Sequence, residues 1–152
     1  MRLSKSLLST SVAVATLLLA ALPLAASAQD ASPIGKWRTI DDATGKAKSI
    51  VEITRAQDGT LRGTVLEILS TDKGPNPKCD NCKGANKGKP IKGMTILWGL
   101  KADGDEWGGG TVLDPAKGKT YKSKLELLDG GRKLGMSGCI AFFCRQQVWI
   151  RE

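Results

Sequence analysis

The chain has 152 residues, enough for one domain and not for two. Its 23 Lys and Arg stand against 15 Asp and Glu, a formal charge of +8, and it has no histidine at all. Without imidazole the usual general base, every Ser–His arrangement and the commonest metal ligand are gone. The basic balance lacks the clusters interleaved with aromatics that would mark a nucleic-acid binder.

In chain order, the first 28 residues read as a secretory signal peptide. Arg2 and Lys5 give the positive start, Leu7 to Leu24 is almost wholly apolar, and Ala26-Ser27-Ala28 is a small-x-small cleavage site. An uncleaved membrane anchor is the alternative, because the apolar run approaches spanning length. Cleavage would leave residues 29–152 as a single mature domain in the periplasm or outside the cell, not membrane-spanning after processing. That domain would carry 21 basic against 15 acidic residues. All four cysteines lie in it, and an even count in an exported chain points to disulfides.

Short strands with turn signals follow. Gly35–Ile40 is the first strand, and Asp42-Ala43-Thr44-Gly45 is a turn. Ser49–Arg55 is the second strand, with Val51 and Ile53 on one face, and Gln57-Asp58-Gly59 closes a hairpin. Thr60–Leu69 is the third, its alternation blurred because Leu66 and Ile68 share a face with Arg62. Ser70–Lys92 is irregular, with three prolines, six lysines and Cys79-Asp80-Asn81-Cys82. A loop this long inside a compact domain is either functional or stapled. The stretch Gly93–Leu128 holds three strands, cut by ADGDE and DPAKGK. Period-two alternation sets Met94, Ile96, Trp98 and Leu100 on one face of the first. It sets Tyr121, Ser123, Leu125 and Leu127 on one face of the last, opposite Lys122, Lys124 and Glu126. After the turn Asp129-Gly130-Gly131 come Arg132–Ile140 and Cys144–Arg151. Eight such strands leave no room for crossover helices. The expected fold is all-β: a single eight-stranded antiparallel up-and-down barrel, whose closure removes exposed edges.

The motif Gly35-x-Trp37 on the first strand resembles the lipocalin and calycin signature. That resemblance implies that Trp37 packs under the barrel floor against an arginine of the last strand, Arg151 or Arg145. More specifically, GKWRTIDDATGKAKSIVEI, PNPKCDNCKG, KPIKGMTILWGLK, EWGGGTVLDPAKGKTYKSKLEL and CRQQVWIR together resemble a bacterial exported family designated only as domain-of-unknown-function family 2147. Membership implies a lipocalin-like fold and no agreed activity.

Each chemical motif has a plainer reading beside it. The carboxylates Asp41-Asp42, Asp103-Asp105-Glu106, Asp114 and Asp129 sit at turns, which turn chemistry explains more simply than paired-carboxylate hydrolysis or calcium binding. Cys79-x-x-Cys82 would be redox-active at a helix start, or would bind zinc with Cys139 and Cys144. A structural disulfide fits its loop and its compartment better. Nearness in sequence pairs Cys79 with Cys82 and Cys139 with Cys144, although four cysteines allow three pairings. Gly108-Gly109-Gly110 marks a bend or bulge, since no helix follows it as in a phosphate loop. The lysines at 73, 78, 83, 87, 89 and 92 either meet anionic groups or merely solvate the loop.

The expected function is non-enzymatic: an exported barrel binding a small apolar or amphipathic, lipid-like ligand. That ligand would lie inside, against Met94, Ile96, Trp98, Tyr121, Leu125 and Leu127. No cofactor and no metal are expected. The alternative is a structural or protein-interaction role in the cell envelope, with a barrel filled by its own side chains.

Overall fold

A computed structural model describes residues 32–152, so the expected signal peptide and the start at Gln29 lie outside the described residues. Eight strands follow one another: β1 (Gly35–Ile40), β2 (Ala47–Arg55), β3 (Leu61–Ile68), β4 (Thr95–Asp103), β5 (Glu106–Asp114), β6 (Lys119–Leu128), β7 (Lys133–Ile140) and β8 (Phe143–Arg151). Each pairs antiparallel with the next, and β1 meets β8 through Trp37 opposite Arg151, closing the barrel. Because every connection reverses the chain, the β1–β2, β3–β4, β5–β6 and β7–β8 connections gather at one end, here the loop end. The other three, with Arg151, form the floor.

Three irregularities, two of them at glycines, set which side chains face inward. In β3, Val65 lies opposite Val51 and Glu67 opposite Ile50, so Leu66 is an extra residue. This bulge is the cause of the blurred alternation: Val65 points in before it and Ile68 packs on the core after it. In β5 the register against β6 slips between Trp107 and Gly110, where Gly109 takes a φ of +71°. The glycine triplet is therefore a bulge.

The third irregularity corrects the expected face of β4. Gly63 lies opposite Leu97 and Leu61 opposite Leu100, so β4 carries one residue more than β3 across that span. Gly99 absorbs it at φ +75°, a conformation that a residue with a Cβ rarely adopts. Leu97 and Leu100 are buried, whereas Trp98 points away from the interior and is 38% exposed. Strict period two, running through Gly99, mistook the outer tryptophan for an inner one.

The interior is packed. Trp37, Val51, Leu97, Leu125 and Leu134 keep none of their surface exposed, and Ile53, Leu61, Val65, Leu100 and Trp149 keep almost none. Burial of each such side chain is worth roughly 1.5–3 kcal/mol.

Candidate functional site

The floor is built around one cation. The Arg151 guanidinium lies over the Trp37 ring, 4.1 Å from its centroid. It donates to the Gly131 carbonyl at 2.7 Å, the Ser32 carbonyl at 2.8 Å and the Ile34 carbonyl at 3.3 Å. The Trp37 indole N–H donates to the Pro33 carbonyl at 2.8 Å, so both faces of the motif are satisfied. Between the two arginines the structure chooses Arg151. Arg145 sits at the loop end, paired with Asp42 at 3.0 Å.

Above the floor the barrel leaves little room. A void large enough for water would give its walls accessible surface, and the central side chains have none. Toward the loop end the inward positions turn polar. Thr39 faces Ser49, their hydroxyls 2.8 Å apart, and Ser123, Gln147 and Arg145 continue that side. The Ser123 hydroxyl is buried with no hydrogen-bond partner.

The long β3–β4 loop is stapled and docked. Cys79 and Cys82 are disulfide-bonded and buried in the core cluster. The two arms of the loop bond each other, Cys79 N–H to the Lys89 carbonyl at 2.9 Å and Ile91 N–H to the Pro77 carbonyl at 3.0 Å. Asn81 Nδ2 donates to the Ala116 carbonyl at 2.9 Å, which holds the loop on the β5–β6 turn. Cys79 Sγ lies 3.2 Å from the Pro115 carbonyl, a packing contact, because a disulfide sulfur has no proton to donate. This approach needs Gly118: a Cβ there would lie 1.9 Å from the Asn81 carbonyl oxygen.

Between this docked loop and the outer face of β4 runs an open groove of about 550 Å³. Pro90, Met94 and Trp98 supply its apolar surface, and Asn86, Lys89 and Lys92 its polar rim.

A family profile described as "Uncharacterized protein conserved in bacteria (DUF2147)" matches residues 35–151. The chain belongs to this family. Among solved structures, protein HP1028 from the human pathogen Helicobacter pylori, described as belonging to the lipocalin family, superposes with a TM-score of 0.67. It is 19% identical, with 80% of this chain and 83% of that chain covered, which shows a shared fold. No curated protein matches.

In this DUF2147 barrel the six expected ligand residues divide. Tyr121, Leu125 and Leu127 do face inward, but Leu125 is locked in the packed centre. Trp98 borders the outer groove instead, whereas Met94 and Ile96 are buried in the core cluster, Met94 with an edge on the groove wall. The loop lysines divide too, with Lys89 and Lys92 reaching the groove. The second disulfide joins Cys139 to Cys144 at the base of the β7–β8 tip. Two disulfides are what an oxidising compartment supports. Among the described residues no acidic cluster is arranged to hold a metal, and Glu106 is engaged by Lys124 at 3.1 Å. No helix among the described residues is long and apolar enough to cross a membrane. The groove escaped sequence reasoning because it depends on Gly99 turning Trp98 outward and on where the loop docks.

Proposed function

We propose that the protein is a non-catalytic binding protein of the periplasm or cell exterior, and that it takes a small amphipathic molecule with an anionic end in the groove beside Trp98. The observation that carries this reading is the contrast between a barrel centre with no accessible surface and an exterior groove of about 550 Å³. Small-molecule sites are typically roughly 300–1,000 Å³, mostly apolar with a few placed polar groups. Here an exposed indole, a proline and a methionine supply the apolar contact, and Lys89 and Lys92 the attraction for a carboxylate or phosphate. The leader expected from the sequence, the disulfides and the lipocalin-like barrel support an exported binding role. The absence of histidine from the sequence and the placement of its clustered carboxylates at turns support a role without catalysis.

Titration with a medium-chain fatty acid, read by tryptophan fluorescence, tests the groove. Trp98→Ala and the charge reversal Lys89→Glu with Lys92→Glu should each weaken binding by about tenfold or more, the effect of losing roughly 1.4 kcal/mol. Leu125→Val, deep in the barrel, should leave it unchanged. The opposite pattern would move the site to the interior. Absence of binding by any apolar or amphipathic probe would favour the second reading, an envelope interaction protein, to which the filled interior is equally suited.

A further inference from the structure

The β7–β8 tip is the most exposed apolar feature of the described chain. Phe142 is 98% exposed, Phe143 84% and Ile140 63%. Large apolar side chains grouped in this way mark a contact surface, whereas scattered single ones do not. The tip is also held in shape. The Cys139–Cys144 disulfide closes its base with the Cα atoms 4.0 Å apart, and Ala141 turns the chain at φ +51°. Arg145, immediately below, ties β8 to the β1–β2 turn through Asp42.

The charges around the tip identify what it touches. The connections at the loop end, residues 41–46, 69–94 and 114–119, carry nine lysines against five aspartates. Those at the floor, residues 55–61, 101–106 and 128–133, carry four cations against five acids. The molecule is therefore polarised, and the apolar tip emerges at its basic end. An apolar projection surrounded by cations is the arrangement that favours an anionic lipid surface: rings enter the acyl boundary while lysines meet the headgroups. A second copy of the chain is a poor occupant. Two phenylalanines, each offering about 150–250 Å², and one isoleucine fall short of the roughly 800 Å² per partner of a stable interface. Repulsion between two basic ends adds to that shortfall.

We propose that the disulfide-closed Ile140–Phe143 tip inserts into anionic lipid headgroup layers and seats the loop end of the barrel on them. The inference does not rest on the groove, because it uses different residues.

Vesicle flotation of the full chain, in the form its host processes it to and with both disulfides intact, tests it. Phosphatidylglycerol–phosphatidylcholine vesicles should carry the protein, and phosphatidylcholine vesicles should carry much less. Raising the salt should weaken the binding. Phe142→Ser with Phe143→Ser should weaken it by at least about tenfold, since each ring contributes that much when buried. A second variant, Phe142→Trp, should show a blue-shifted difference emission on adding the anionic vesicles, which reports the tip directly even if the double variant is less stable. Equal flotation of the double variant and the wild type, or an unshifted Phe142→Trp emission, would overturn the proposal. So would a lipid-free dimer abolished by the double substitution, which would assign the tip to a second copy.

Discussion

Arg151 joins three parts of the chain: the end of β8, the β6–β7 turn through Gly131, and the segment entering β1 through Ser32 and Ile34. A lysine in its place could not both stack on the Trp37 ring and reach three carbonyls, because its ammonium is a compact point without the planar fork. Arg151→Lys should therefore destabilise by about 1.5–3 kcal/mol, the range for hydrogen bonds to a charged group. Trp37→Ala should cost about 3–5 kcal/mol, as for a large aromatic removed from a core. Urea unfolding midpoints measure both, and an unchanged midpoint would place either residue outside the folding core. Acid acts through three turn aspartates. The Thr44 hydroxyl and N–H lower the Asp41 carboxyl below its usual 3.8, the Thr60 hydroxyl and N–H do the same for Asp58, and the Arg132 guanidinium does so for Asp129. A carboxyl held low in the fold stabilises above its unfolded pKa and ceases to do so as pH falls through its folded one. Stability should thus be insensitive to these groups from neutrality to about pH 4 and fall below it. Asp58→Asn should reduce the acid-induced loss measured by urea titration at successive pH values.

At the level of elements, the β3–β4 loop and the β5–β6 turn form one unit, and Gly118 is the contact that permits it. Gly118→Ala would add a methyl where the Asn81 backbone already stands, at a φ of +65° that alanine also disfavours. The expected result is a detached loop on an intact barrel. Limited proteolysis should then cut within residues 70–92 faster than in the wild type, and the Trp98 groove should lose its second wall. Protection equal to wild type would show that the loop is held by its disulfide alone. This docking also marks the limit of what the sequence discloses. Strand positions were legible because alternation and turn residues are local: the Asp58-Gly59 hairpin, the inward set Tyr121, Ser123, Leu125 and Leu127, and the glycine bulge all stand where local rules put them. The β1–β2 turn differs by one residue, since Asp41, not Asp42, accepts from Gly45 and Thr44. The outward turn of Trp98 was not legible, because the positive-φ Gly99 shifts the phase of Trp98 and Leu97, and a second register shift between Leu97 and Thr95 shifts it back. The placement of the loop depends on contacts between residues some 35 positions apart, which no local pattern encodes.

For the molecule as a whole, the decisive property is that closure and packing are achieved by the same side chains. An eight-stranded barrel is near the size at which its interior is either filled by side chains or holds one small ligand. Two tryptophans, Trp37 and Trp149, and a set of leucines, isoleucine and valines take the filled option. The interior should therefore behave as a close-packed solid in which a missing group leaves a dry hole. Leu125 is the place to make one, since it is fully buried in β6, opposite Met136 on β7 and Trp107 on β5. Leu125→Ala should destabilise the barrel by about 2–5 kcal/mol, the cost of the lost transfer term plus the unrelaxed cavity. The variant should also gain what the wild type lacks, affinity for a small apolar probe such as xenon or benzene, because an apolar cavity of that kind stays dry and accepts such guests. Xenon-dependent shifts in the side-chain methyl spectrum would read this out, appearing in Leu125→Ala and not in the wild type. Xenon binding to the wild-type interior would instead reveal a pre-existing void, and would return the barrel centre to candidacy as the ligand site ahead of the Trp98 groove.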